Sequence, residues 1–256
     1  MKNILAVVIF LCLWAGSEAM NDAKENPLAG SRQMMVVTTP DWNAINGTLL
    51  RYERKTLLSR WQPVGAAIPI VVGRNGLAWG RGLHGDTETP TQSKDQPEDP
   101  RKREGDGKAP AGIFRLSSAF GYEAFNRRIK LPYRQSRQMT QCVDDPQSTL
   151  YNQLVERDRV TKPDWQSYED LRRKDEQYRW GVFVEHNSGA QRQAGGGSCI
   201  FLHIWSEASS GTAGCTAMGA ALMEDVLYWL DAKHQPLLVQ LTTTDYARLK
   251  GKWLLP

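Results

Sequence analysis

The sequence has no apolar run long enough to cross a bilayer and no excess of charge of one sign. The apolar run at positions 4–14 is shorter than the about 20 residues that a membrane-spanning helix needs. The 32 Lys and Arg residues nearly balance the 28 Asp and Glu residues, and the formal net charge is +4. These charges are mixed along the chain and form no basic face. We therefore expect no nucleic-acid partner.

The beginning of the chain has the order of a secretory signal peptide. Lys2 precedes the apolar run, and a stretch of small residues follows it as far as Ala19. We predict that residues 1–19 are a signal peptide, that the protein is exported to the periplasm, and that no stable membrane span remains after cleavage. A retained anchor is the alternative interpretation of the same run. Residues 20–256 are then expected to form a single domain.

Cysteine and histidine are scarce, with four residues of each. Cys12 lies in the apolar run, so the mature chain keeps Cys142, Cys199 and Cys215, and an odd number of thiols in an oxidising compartment leaves one of them free. Cys142 and Cys199 are either joined in a disulfide or are two separate thiols, and their spacing leaves both readings open. Zinc needs three or four ligands, and no CxxC or HxxxH spacing is present, so we predict no metal site and no cofactor.

The hydrophobic pattern predicts a mainly β domain. A proline in the third predicted strand, Pro69, indicates an edge position for that strand. Helical spacing begins directly after Cys215 and recurs at 165–178 and 245–253. Residues 86–107 are polar and predict a solvated, mobile loop, and residues 126–180 predict a partly helical insertion that acts as a lid. The predicted strands are 33–39, 48–53, 68–72, 180–185, 199–205 and 237–241.

Cys215 is the candidate nucleophile. It follows three small residues and precedes a predicted helix, whose N-terminal end favours the thiolate and offers backbone N–H groups to an oxyanion. His203, at the end of the preceding predicted strand, is the candidate base, and His186 on a neighbouring strand is its competitor. A cysteine packed in the core and a structural histidine are the alternatives that involve no catalysis.

Two separated motifs resemble the YkuD-type L,D-transpeptidase family. Residues 196–205 read GGSCIFLHIW and residues 212–218 read TAGCTAM, where the family has a strand-end His, a loop, and then Ser or Thr, any residue, Gly and the nucleophilic Cys. Residues 105–114 read GDGKAPAGIF, similar to the family signature GDGxTPxGxF with Ala109 in place of Thr. The resemblance covers about residues 34–256 and is weakest over 126–180.

The resemblance implies a β-sandwich fold and a cysteine enzyme that acts on peptidoglycan stem peptides containing meso-diaminopimelate. It makes Cys215 the nucleophile that forms a thioester and His203 the base. It also implies that the carbonyl of Ile204 orients the imidazole, that Thr212 belongs to the nucleophile motif, and that the N–H groups of Gly214 and Cys215 hold the oxyanion. An amine from a second stem would then give a cross-link, and water would give an L,D-carboxypeptidase or endopeptidase. A catalytically inert wall-binding protein is the alternative from another class.

The motifs also depart from the family pattern at three places. Many relatives have His where Ala213 stands, Gly where Ile204 stands, and Arg shortly after the cysteine. These departures indicate a divergent branch. The strand-end His remains, so the departures bear on the choice of acceptor more than on the first chemical step.

Overall fold

The structure of the protein, a computed structural model, describes residues 26–85 and 100–256. The predicted signal peptide and most of the predicted mobile loop lie outside the described residues. Two α-helices lie within these ranges, α1 (Ala220–Trp229) and α2 (Thr243–Leu249). The strands in the same ranges are β1 (Gln33–Thr39), β2 (Asn46–Glu53), β3 (Gln62–Val71), β4 (Leu77–Trp79), β5 (Ala109–Gly121), β6 (Tyr133–Gln135), β7 (Thr140–Val143), β8 (Leu154–Glu156), β9 (Tyr168–Asp170), β10 (Trp180–Val184), β11 (Phe201–Ile204), β12 (Thr216–Met218) and β13 (Leu237–Thr242).

Eight of these strands close into a ring. Neighbours pair in the order β10, β11, β12, β3, β2, β1, β13 and β5, and β5 pairs again with β10. Closure is achieved by β5, which is 13 residues long and pairs with β13 through its first half and with β10 through its second half. A closed ring leaves few unpaired backbone groups at strand edges. The mainly β class predicted from the hydrophobic pattern is confirmed.

The bounds of β1 agree with the sequence pattern, but the predicted edge position of the third strand is wrong. β3 lies between β2 and β12. Pro69 pairs with Thr48 on the β2 side, whereas β12 pairs only with Ile70 and Val71. The proline therefore sits just beyond the last β12 partner, where its missing N–H removes no hydrogen bond from the sheet.

The helix predicted to begin at Cys215 starts later. Residues 216–218 form the short strand β12, which pairs with β11 on one side and β3 on the other, and Gly219 separates it from α1. Apolar residues such as Ala217 and Met218 suit both a helix face and a buried strand, and the sheet supplies partners for the backbone. The helix predicted at 245–253 is also shifted, since α2 spans Thr243–Leu249.

The helix predicted at 165–178 is absent from the structure, because this part of the insertion enters a small antiparallel sheet. β7 is the central strand, flanked by β8 and β9. The register places Glu169 opposite Cys142 and Asp170 opposite Gln141. Pairing with β7 gives the backbone of these polar residues its hydrogen bonds, and tertiary context overrides the weak helical spacing.

Residues 100–107, the part of the predicted mobile loop that the structure describes, are only partly exposed. Arg101, Arg103 and Gly105 are exposed, whereas Gly107 is buried. Lys102 is buried, and its backbone N–H donates to the carbonyl of Trp79 at 2.9 Å. The N–H of Glu104 donates to the carbonyl of Gly195 at the same distance.

Neither helix within 26–85 and 100–256 is long and apolar enough to cross a membrane.

Candidate active site

The parallel pairing of β11 with β12 brings Cys215 and His203 together. Leu202 stands opposite Thr216 in this pair, so Cys215 lies beside Phe201, and the Phe201 N–H donates to its Sγ at 3.3 Å. Phe201 and His203 are two residues apart and therefore share one face of the sheet with Cys215. Strand spacing and rise place the Cα atoms of Cys215 and His203 about 8 Å apart. Two residues separated by a loop in the sequence thus become diagonal neighbours.

The loop before Cys215 is closed by Thr212. Its Oγ1 donates to the carbonyl of Cys215 at 2.6 Å and accepts from the Gly214 N–H at 3.1 Å. The Thr212 N–H donates to the carbonyl of Val72, which ties the loop to the chain beyond β3. The Gly214 N–H, a predicted oxyanion donor, is therefore occupied by the threonine hydroxyl in this structure.

The GDGK motif, about one hundred residues earlier in the chain, packs directly behind the cysteine loop. A Cβ at Gly214 would lie 3.1 Å from the carbonyl oxygen of Lys108 and 3.9 Å from Nζ of Lys102. Asp106 organises the motif, because its carboxylate accepts from Nζ of Lys102 at 2.7 Å and from the backbone N–H of Lys108 at 2.9 Å. The two sequence motifs that carry the resemblance therefore meet in space.

The environment of the Cys215 thiol differs from the sequence prediction. The residue is 5% exposed, and five positions separate it from the first residue of α1, so the end of that helix does not act on it directly. Burial raises the pKa of the thiol well above its ordinary value, and the charge of Glu169 raises it further. The Phe201 N–H and the cations of Lys102 and Arg173 lower this pKa to a smaller extent. The thiol is protonated in this closed state.

His203 has a ring nitrogen available for proton transfer. Its Nδ1 lies 2.8 Å from the carbonyl oxygen of Ile204. A carbonyl can only accept, so Nδ1 carries the proton of the neutral imidazole and Nε2 presents a lone pair. Nε2 has no hydrogen-bond partner among the described residues. Burial lowers the pKa of His203 to about 4, and the imidazole is therefore neutral at neutral pH.

His186, the competing base, has both ring nitrogens engaged. Nδ1 accepts from the N–H of Arg81 at 3.1 Å, and Nε2 donates to the carbonyl of Gly196 at 2.9 Å. Burial lowers its pKa to about 3. His84 has the same double engagement, with the N–H of Ile113 and the carbonyl of Gly80. These contacts give both histidines a structural role and leave His203 as the better-placed base.

The insertion at 126–180 covers the thiol. Cys142 of β7, Leu171 and Tyr178 belong to the same buried apolar cluster as Phe201 and Cys215. The Tyr178 ring meets the His203 ring edge-on at a centroid distance of 5.1 Å. Access of a substrate to Sγ requires part of this cover to move.

The structure decides between the two readings of Cys142 and Cys199, which form a disulfide. The bond joins β7 of the insertion to the residues that lead into β11, and Cys215 is the free cysteine of the described ranges. A bridge that closes a loop of this size stabilises a protein by about 2–4 kcal/mol. The disulfide also removes both candidate partners with which Cys215 could pair.

Sequence reasoning missed the polar residues that the insertion brings to the site. The hydroxyl of Tyr178 donates to the carboxylate of Glu169 at 2.6 Å, and the Arg173 guanidinium lies over the Tyr178 ring. Burial raises the pKa of Glu169 to about 7, against the opposing effects of the Tyr178 hydrogen bond and the Arg173 charge. No motif marks these positions, since their approach to Cys215 depends on how β9 docks.

The titration of Glu169 predicts that the contribution of this residue to the free energy of unfolding falls as pH rises. Its folded-state pKa lies above the ordinary value of 4.5, so the folded chain binds this proton more tightly than the unfolded chain. The contribution is fully present below about pH 4.5 and is lost as pH rises through about 7. We expect the free energy of unfolding of the wild type to fall by at most about 3 kcal/mol relative to Glu169→Gln over this range.

Urea unfolding of both proteins at several pH values between about 4 and 8 checks this expectation. The glutamine keeps an amide oxygen for the Tyr178 hydroxyl, so the comparison isolates the charge. Asp170→Asn, at an exposed carboxylate on the same strand, is the matched control and should show no such trend. A constant difference between wild type and Glu169→Gln at all pH values would contradict the prediction.

The site presents a thiol and, on the neighbouring strand, an imidazole with a free ring nitrogen. Hydrogen bonds between side chains and backbone hold the loop that carries the thiol. Such a pair supports nucleophilic attack on a carbonyl and transfer of the thiol proton.

In the ranges 26–85 and 100–256, no three His, Cys, Asp or Glu side chains are grouped as a metal ion would need. No protein-family model, no curated protein and no solved structure matches this chain.

Proposed function

We propose that the protein is an exported cysteine L,D-transpeptidase of the YkuD type, acting on meso-diaminopimelate-containing stem peptides of peptidoglycan. One observation carries the proposal: the thiol of Cys215 lies beside the strand of His203, and the GDGK motif closes against the Gly214 that precedes the thiol. The mainly β fold supports the proposal at the level of fold class. Export rests on the sequence of residues 1–19.

In the first step, Nε2 of His203 takes the proton of the Cys215 thiol, and the thiolate attacks the carbonyl carbon of the L-configured centre of diaminopimelate. The hydrogen bond from Nδ1 to the carbonyl of Ile204 stabilises the imidazolium that results. The tetrahedral intermediate then expels the amine of the terminal D-amino acid, which receives the proton from Nε2. A thioester on Cys215 remains.

The N–H groups of Gly214 and Cys215 are the proposed donors to the oxyanion. In the structure the Gly214 N–H makes a 3.1 Å bond to the neutral hydroxyl of Thr212. A negatively charged oxygen is a stronger acceptor than a hydroxyl, so the N–H can exchange one partner for the other as the intermediate forms. The Thr212 hydroxyl would then still donate its hydrogen bond to the Cys215 carbonyl, which keeps the loop closed.

The buried thiol gives this reaction a gated first step. While the insertion covers Cys215, burial keeps the thiol protonated and no stem peptide reaches it. Movement of the cover would expose the thiol and remove much of the burial that raises its pKa. A thioester intermediate shielded in this way is also protected from water until an acceptor amine arrives.

The test is product analysis with a disaccharide-tetrapeptide followed by mass spectrometry. We expect tetrapeptide–tripeptide dimers together with free D-amino acid, because the amine of a second stem attacks the thioester. Trimmed tripeptide monomer alone would identify a hydrolase instead. Absence of both products, together with no covalent adduct between Cys215 and a thiol-reactive carbapenem, would contradict an enzymatic role and favour the inert wall-binding alternative.

A further inference from the structure

Arg173 is held in a fixed orientation at the base of the insertion. Its Nε and Nη2 donate to the carboxylate of Asp175 at 3.0 and 2.7 Å, and Asp175 in turn accepts from the backbone and the side chain of Gln177. The N–H of Ile204 donates to the carbonyl of Gln177 at 3.0 Å, which attaches this turn to the strand of His203. The guanidinium is therefore ordered relative to the candidate base.

One edge of this guanidinium is unused. Nη1 of Arg173 makes no hydrogen bond within the described residues. Lys102, another cation near the cysteine, is already engaged by Asp106 and by the carbonyl of Arg103, each at 2.7 Å. Nη1 of Arg173 thus has donors to offer to a ligand, and the planar guanidinium suits a carboxylate.

The position of Arg173 suits the group that leaves in the proposed reaction. Its guanidinium carbon lies 5.1 Å from the centroid of the Tyr178 ring, and that ring lies 5.1 Å from the His203 ring, so the guanidinium is within about 10 Å of the imidazole. In an amino acid the carboxylate carbon is about 2.5 Å from the nitrogen. With a hydrogen bond at each end, a donor about 6–8 Å from Nε2 of His203 can hold the carboxylate of a residue whose amine faces that nitrogen.

We propose that Arg173 is a specificity-determining residue that binds the free α-carboxylate of the terminal D-amino acid, so that the enzyme selects stem peptides ending in that group. This inference rests on the proposed function, because it assigns the binding partner of the leaving residue. Asp175 orients the guanidinium, and the carboxylate takes the open edge at Nη1. A stem whose terminal carboxylate is blocked or absent would lose this contact.

The test measures binding separately from turnover, in the Cys215→Ala background. Calorimetry compares a disaccharide-tetrapeptide that ends in D-alanine with the same compound bearing a C-terminal carboxamide. A hydrogen bond to a charged group corresponds to about tenfold or more in affinity, so we expect the carboxylate form to bind at least about tenfold more tightly. Arg173→Ala should remove this preference, and Arg173→Lys should restore part of it.

Arg172→Ala is the matched control. This neighbouring arginine lies over Tyr122, 4.5 Å from the ring centroid, and donates to the Tyr122 carbonyl. It should leave the preference for the carboxylate unchanged, and thermal unfolding of each variant verifies that the fold is retained. The inference is overturned if Arg173→Ala keeps the preference, or if the parent protein binds both compounds equally or neither.

Turnover by the protein with Cys215 intact separates this inference from the proposed function. The ratio of kcat/KM for the carboxylate and carboxamide donors should fall about tenfold or more in Arg173→Ala. If cross-linking proceeds and the ratio does not change, the proposed function stands and the role of Arg173 is wrong. If no product or acyl-enzyme forms while the binding preference depends on Arg173, the carboxylate site stands and the proposed reaction fails.

Discussion

Replacing Cys215 with alanine is expected to abolish both cross-linking and release of the terminal D-amino acid. Without the thiol no thioester can form, and the remaining groups can only polarise a carbonyl for attack by water. Removal of a nucleophile of this kind costs on the order of 10⁵-fold or more in rate. Chromatography of muropeptides after incubation with a disaccharide-tetrapeptide measures the loss directly.

The buried position of Cys215 calls for a second variant. Alanine leaves a small gap and an unpaired N–H at Phe201, which is expected to cost about 1–2 kcal/mol of stability. Cys215→Ser keeps a polar atom that can accept from this N–H, so it should fold at least as well and remain inactive, because a serine hydroxyl is far less acidic than a thiol. Circular dichroism and thermal unfolding check the fold. A folded Cys215→Ala protein that still forms product would refute the mechanism.

Replacing His203 with alanine is expected to lower kcat/KM by about 10²–10⁴-fold, the usual contribution of a general base. In the proposed mechanism the free Nε2 accepts the thiol proton, and its removal leaves a thiol whose pKa is raised by burial. Steady-state kinetics of donor consumption measure the effect. Labelling of Cys215 by a thiol-reactive carbapenem should slow as well, since it depends on the same proton transfer.

His186→Ala is the control for this prediction. Its two ring nitrogens bond to the N–H of Arg81 and the carbonyl of Gly196, so its loss leaves two backbone groups unpaired and should lower the melting temperature. The rate per folded molecule should fall far less than in His203→Ala. If the two variants exchange these behaviours, His186 is the base and the assignment of His203 is wrong.

Several features of this protein follow from local sequence alone. The alternation and β-branched residues of β1 predict its bounds, and the apolar runs at β10, β11 and β13 predict strands close to those observed. The odd count of cysteines predicts one free thiol. The loop that carries Thr212 and Cys215 is identified from its small residues and its resemblance to a known motif. Each of these depends on neighbours in the chain, which is where periodicity and turn chemistry act.

The predicted helix at 165–178 shows where such local reasoning fails. The residues of β9 have no strong strand pattern, and they become a strand because β7 offers backbone partners and the disulfide of Cys142 holds that sheet against the barrel. The burial of Lys102 has the same origin, since its backbone N–H pairs with the carbonyl of Trp79 and its side chain packs beside Gly197. Pairing energy from distant segments outweighs weak local preference.

The state of the candidate site is likewise decided by tertiary structure. The sequence identifies Cys215, His203 and His186 as candidates. The surroundings of the thiol and of the two imidazole rings depend on groups that are distant in the chain. Gly196 and Arg81 engage both ring nitrogens of His186 and leave His203 as the proposed base, and the insertion buries Cys215 so that its pKa rises instead of falling. Desolvation and hydrogen bonding are properties of the folded surroundings of an atom, whereas the order of residues specifies only which atoms are available.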